Sequence, residues 1–341
     1  MRRKHLARGA GEVETRSGEG EGRNAQTDRA LRPSPSPLRV STSPTSWARC
    51  FSTWRDANDA ALARVLLAPA FLLLALIVVY PVCRLVWTSF EALSLTSGLP
   101  AHFTGLDNYT SLATDPEFWT ALTNTLLITL ITVPAALLAG LALALIANLP
   151  FRIRWPVRLG LLVPWALPLA FVGLISGWFF QSDYGVVNDV LRHVMSTRII
   201  WFNSAWLAFL AICLTITWKT SSFVALVLLA GLQTIPGELY EAASVDGANA
   251  LHRFLNVTLP LLRPSIAVAV IFRTITSLQT FDIPVTMTRG GPGTSTVTLA
   301  MYIHQNTVDF LDLGYGSALA VVLFLVSMSV TALYLRQVRT P

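Results

Sequence analysis

The sequence predicts an all-α integral membrane protein with six transmembrane helices, and three observations carry that expectation. Of 341 residues, 53% are apolar and only 13% are charged, about half the charged share of a soluble globular domain. The apolar residues gather in long uncharged runs, each long enough for the ~20 residues a helix needs to cross the hydrocarbon. The basic residues flank those runs unevenly. Together these features exclude a disordered protein, a secreted disulfide scaffold and an ordinary cytosolic enzyme.

The chain opens with a polar stretch. Its first 64 residues hold 12 of the 25 basic and 7 of the 19 acidic groups, with a Pro/Ser-rich segment from Arg32 to Ser46. That composition cannot build a core, so residues 1–60 are expected to form a disordered cytoplasmic tail and 61–341 the membrane domain. The first apolar run begins near Val65, too late and too long for a signal peptide. Acidic residues interleave the basic ones and no aromatic platform accompanies them, which argues for attraction to anionic lipid rather than nucleic acid.

Six runs follow. Val65 to Cys83 makes the first span, and the 34 uncharged residues from Phe118 to Phe151 make one long tilted helix with Pro134 as a kink site. The third covers Leu159 to Ser182, and the fourth spans Ile199 to Gly237, interrupted by Lys219. The fifth is expected from Pro264 to about Met287 with Arg273 inside, and the sixth from Leu313 to Leu335. Ten arginines flank one side (Arg49, Arg55, Arg64, Arg152, Arg154, Arg158, Arg253, Arg263, Arg336 and Arg339) and three the other (Arg192, Arg198 and Arg289). The basic side faces the cytoplasm, so both termini are expected there, in a multi-pass cell-membrane protein. Small residues, Gly173 with Gly177 and Ala135, Ala136, Ala139 and Gly140, suggest helix-packing faces.

The polar loop from 233 to 263 carries the most information. Pro236 favours a helix start, Glu238 and Glu241 fall in the first turn, and Leu239, Ala242 and Ala243 share a face. Gly247 breaks the run, and a second short helix from Asn249 to Val257 is expected to end at Leu259–Pro260. A helix-turn-helix with a partly apolar face fits a partner's groove or, alternatively, lies on the membrane surface.

These residues resemble a known motif. Glu241, Ala242 and Ala243, then Asp246–Gly247 and Leu259–Pro260, are similar to the EAA loop of membrane subunits in binding-protein-dependent ABC importers. The resemblance extends over about residues 65–337. Phe103, Gly105, Leu106, Asn108 and Tyr109 resemble the F-x-G-L-x-N-Y segment of carbohydrate permeases, and Trp218-Lys219-Thr220 with Phe223 their W-K-T-x-x-F. Phe281–Asp282 and the loop Thr288-Arg289-Gly290-Gly291-Pro292 resemble the first of two sugar permeases, of the maltose and glycerol-3-phosphate type. Val257 stands where the motif often has isoleucine, and the tail has no counterpart.

The resemblance implies the type I importer fold and half of a pathway for a sugar or sugar-like solute. It also implies a sister permease, an ATPase dimer that binds ATP and Mg and receives the coupling helices, and an extracytoplasmic solute-binding protein. No phosphate-cradling P-loop, HExxH or nucleophile elbow is present, so neither an enzyme nor a metal or cofactor site is expected in this chain. A stand-alone ion-coupled secondary transporter is the second reading, but the inverted repeats expected of one are not visible. A membrane scaffold that recruits another partner through the loop is the third.

Lys219 and Arg273 lie near mid-membrane, where each cation costs on the order of 3 kcal/mol. Either they line the translocation path, or they tie helix ends and hold the partner permease. Asn124, Gln279, Phe281 and Asp282 complete the candidate solute site, because polar groups and an aromatic face suit sugar hydroxyls and C–H surfaces. Two buried cations suit an anionic solute such as a glycerol phosphate, although the resembled neutral-sugar permeases share the W-K-T segment. The three cysteines (Cys50, Cys83 and Cys213) are widely spaced and form no disulfide framework.

Overall fold

A computed structural model describes residues 66–149, 155–193 and 198–338, together with positions 61, 63 and 64. The expected tail, residues 1–60, lies outside the described residues, as do Arg152, Arg154 and Arg339. Residues up to Ala68 separate from the compact body Pro69–Pro341, and that body is described below.

Among the described residues, five helices are long and apolar enough to cross a membrane: α1 (Leu66–Thr88), α3 (Pro116–Asn148), α7 (Ala205–Gln233), α9 (Ala250–Leu278) and α12 (Leu313–Val338). A sixth crossing is possible only by counting α4 (Trp155–Ala166) and α5 (Leu169–Phe179) together, since the two meet at 98°. The third apolar run is therefore two helices joined at a sharp bend, not one straight helix. Pro168 lacks an N–H to continue the helix, and its ring pushes Leu167 out of helical conformation. Short helices fill the links: α2 (Asp107–Thr114), α6 (Val186–Arg192), α8 (Gly237–Val245), α10 (Asp282–Met287) and α11 (Leu299–His304). A two-stranded antiparallel ribbon, β1 (Glu91–Ala92) with β2 (His102–Phe103), closes the loop after α1.

Helix α3 is the single long helix its composition predicts. Asp115 caps it by accepting from the Glu117 amide at 2.9 Å, with Pro116 in the first turn. Leu149, which precedes a proline, ends it in extended conformation. Ala136, Gly140, Ala144 and Ala147 recur on one face and pack against α7. A methyl group built on Gly140 would lie 2.6 Å from Val224 Cγ1, so the backbones can approach only because glycine stands there. Gly173 is tighter still: its missing Cβ would meet Thr286 Oγ1 of α10 at 1.8 Å. The small-residue packing faces are present, with α7 as the most buried span and α1 with none of its window buried in this chain. Cys213 is buried in α7, whereas Cys83 is exposed on α1.

The fifth span departs from expectation at both ends. Asn249 caps a helix that continues through Leu259–Pro260 instead of stopping there. One π-turn, Phe254–Thr258, absorbs the proline: the Leu259 amide reaches back to Phe254 O, and the missing N–H of Pro260 falls where the register is already shifted. Pro264 is likewise internal. The span stops at Leu278, nine residues before Met287, because residues 279–281 turn the chain into α10.

Candidate functional site

A cavity of about 510 Å³ opens among α4, α5, α7, α9 and the start of α10. Five of the six residues expected on the solute path line it: Lys219, Arg273, Gln279, Phe281 and Asp282. The backbone explains why they converge. Lys219 projects from the middle of the central helix. Arg273 comes from the last turns of α9, Gln279 and Phe281 from the turn that follows it, and Asp282 from the start of α10. Asp282 is therefore not on the helix that carries Arg273, as the longer expected span required.

The bend between α4 and α5 accounts for Lys219. The Trp165 carbonyl has lost both helical donors, since residue 168 is a proline and residue 169 lies beyond the bend. Lys219 Nζ donates to that carbonyl at 2.6 Å, a cation satisfying an orphan acceptor at a helix C-terminus. The two readings of Lys219 thus coincide, because it ties a helix end and also lines the cavity. Arg273, 3% exposed, donates through Nη2 to Thr132 Oγ1 of α3 and through Nη1 to Thr276 Oγ1, each at 3.2 Å. Its Nε is buried and without a partner among the described residues. Neither cation forms an ion pair among the described residues.

Asn124 belongs elsewhere. Its amide nitrogen donates to Val297 O at 3.0 Å and Thr294 O at 3.3 Å, so both N–H groups hold a loop and none faces the cavity. That loop contains the predicted Gly290, Gly291 and Pro292. Arg289 and Gly290 take positive φ, and the Gly291–Pro292 peptide is cis. Thr296 stitches the loop shut, bonding Thr288 Oγ1 at 2.7 Å and donating to Gly291 O at 3.0 Å. Beside it, Asp115 accepts hydrogen bonds from Tyr302 and Tyr315. Burial raises the Asp115 carboxyl, but the two phenols and the Glu117 and Phe118 amides outweigh it and hold the group below its ordinary range. Burial and the same carboxylate push Tyr302 up to about 12.

Sequence reasoning did not assign Trp165, Phe272 and Thr276 to the wall. Phe272, Thr276 and Gln279 recur at helical spacing beside Arg273, a polar and aromatic stripe that could have revealed them. Phe272 packs on Phe223 with ring centroids 4.6 Å apart. Trp165 gave no such signal, because its place depends on the bend.

At the other functional end, α8 has no buried residue, with Glu241 and Ala242 exposed. It ends in a Schellman cap: Ala248 N–H bonds Ala243 O at 2.9 Å, Gly247 N–H bonds Ser244 O at 3.1 Å, and Gly247 takes φ +78. Tyr240 reaches Thr258 at 3.0 Å and Arg253 donates to Ser244 at 3.0 Å, so α8 is braced against the start of α9. Leu259 and Pro260 are half-buried within α9. The loop therefore presents a short rigid helix outward while its base is fixed.

A multi-span bundle with an exposed short helix at one end and a cavity lined by both apolar and polar side chains fits a membrane transport subunit. The chain belongs to the family of binding-protein-dependent transport system inner membrane components, whose model matches residues 132–340. It is 68% identical over 294 residues to the sulfoquinovosyl glycerol transport system permease protein of Agrobacterium fabrum, covering 86% of this chain and 94% of that one. It is 34% identical to the trehalose/maltose transport system permease protein of Thermococcus litoralis, covering 82% and 94%. The fold matches a subunit of a bacterial alginate ABC transporter solved with an alginate pentasaccharide-bound periplasmic protein. That match has a TM-score of 0.72 at 21% identity and covers 84% of this chain and 96% of that one. The chain is a membrane-embedded transport subunit and not an enzyme.

Proposed function

We propose that this chain forms half of the transmembrane pathway of an ATP-driven importer for a sugar or sugar-like solute. It pairs with a sister permease, stands on an ATPase dimer that binds ATP and Mg, and receives solute from an extracytoplasmic binding protein. Both termini lie in the cytoplasm. The observation that carries this reading is the 68% identity to a glycoside permease across nearly its whole length, and the exposed α8 with its Glu241, Ala242, Ala243, Asp246 and Gly247 supports the ATPase contact. ATP-driven closure of the ATPase dimer moves α8, and the braced junction with α9 passes that displacement to the helix carrying Arg273 and to the turn carrying Phe281 and Asp282. The cavity then opens to one side of the membrane or the other.

The test is to express the chain with its neighbouring transport components, purify it in mild detergent and identify what co-elutes. Reconstituted vesicles should then take up a glycoside only with ATP and binding protein, sulfoquinovosyl glycerol being the first solute to try. A lone chain that accumulates sugar on an ion gradient would overturn the proposal.

A further inference from the structure

Two cations face the cavity against one carboxylate, Asp282, and neither is paired with it. A buried charge without a counter-charge is a large and unusual expense inside a bilayer. The hydrogen bonds to Trp165, Thr132 and Thr276 orient the two heads but bring no negative charge. The buried Arg273 Nε proton has no acceptor among the described residues. The ammonium of Lys219 has three N–H groups, and one is spent on Trp165. Beside these heads, the packed rings of Phe223 and Phe272 present an aromatic wall to the same cavity.

We propose that Arg273 and Lys219 form an acid-reading subsite of the cavity, which selects a glycoside carrying one strongly acidic group. The planar guanidinium and the ammonium donate hydrogen bonds to the oxygens of that group, and the aromatic wall takes the C–H face of the sugar ring. The solute supplies the missing counter-charge for as long as it occupies the path. The proposal rests on the sugar-import reading and adds to it which residues distinguish an acidic from a neutral sugar.

The test is equilibrium binding of two probes to the assembled transporter in nanodiscs, without binding protein. Sulfoquinovosyl glycerol is the acidic probe; glucosyl glycerol, with a hydroxyl in place of the sulfonate, is the neutral one. The native complex should prefer the sulfonated probe by about tenfold or more, the range of one or two charge-assisted hydrogen bonds. Arg273→Gln should remove most of that preference by weakening only the sulfonated probe, and Arg273→Lys should restore part of it. Lys219→Gln should act in the same direction on the ratio, whatever it does to thermal stability through the lost Trp165 bond. Equal weakening of both probes, or an unchanged ratio, would overturn the subsite and leave the sugar-import reading standing. A native complex that binds neither probe would overturn both.

Discussion

Single residues set the tolerances of this bundle. Asn124 holds two loop carbonyls from within α3, so Asn124→Leu leaves them without donors and should destabilise the subunit by about 1–3 kcal/mol. A lowered melting temperature in detergent, with solute binding to the assembled complex preserved, would establish a structural role; selective loss of binding would return Asn124 to the path. Asp115 makes a pH-dependent prediction. Its folded-state carboxyl is held below the ordinary value of 3.8, so its contribution is fully present above that value and fades as pH falls through the folded one. Asp115→Asn should therefore lower stability at neutral pH and flatten the acid limb of a melting-temperature profile, whereas parallel native and variant profiles would contradict the linkage. The positions of Lys219 and Arg273 were legible as scarce charges within apolar runs. The role of Asn124 was not, because nothing in a linear pattern tells an amide facing a cavity from one clasping a loop 170 or more residues away.

At the scale of elements, apolar runs of about 20 residues announced the long helices, while prolines decided where helices break or continue. The two outcomes differ for a physical reason. Pro168 lies at a sharp bend of α4 against α5, whereas Pro260 follows a π-turn that shifts the register and lets α9 run on. Composition is the same in both places, so the bend and the accommodated proline were not separable from residue type alone. Pro168→Ala restores an N–H that a continuous helix would pair with the Pro164 carbonyl and removes the ring that blocks Leu167, so it should let the pair straighten; spin labels at Val163 and Phe179 should then give longer distances, and an unchanged distribution would locate the cause of the bend elsewhere. On α8, Gly247 occupies the left-handed cap position with open space around its α-carbon. Gly247→Val carries only the backbone penalty, roughly 1–2 kcal/mol, borne by the helix proposed to meet the ATPase. ATP-dependent uptake should fall well below native while the variant still inserts in the membrane, and native uptake would argue against the coupling role.

For the molecule as a whole, charge placement and burial describe a subunit that is finished only in part. Within this chain α1 has none of its window buried and α8 has no buried residue, while the central helix α7 has 61% of its window inside. The body is thus built around α3 and α7, with exposed surfaces at its margin on α1 and at the end that carries α8. The arginine asymmetry predicts that a cysteine introduced at Ala250, beside the coupling helix, reacts with a membrane-impermeant maleimide only after cells are opened. One introduced at Ser97 should react in intact cells. Reversed labelling would invert the topology proposed for the chain.

The contact between α5 and α10 has a consequence for substitution as well as for folding. At Gly173 a side chain would strike the Thr286 hydroxyl and crowd the Ile283 α-carbon, so any substitution there must turn Thr286 aside and shift α5 against α10 beside the cavity. If the cavity holds the solute as proposed, Gln279 and Phe281 are wall side chains whose exchange alters the lining without touching the α5–α10 seam, whereas a change at Gly173 disturbs the seam itself.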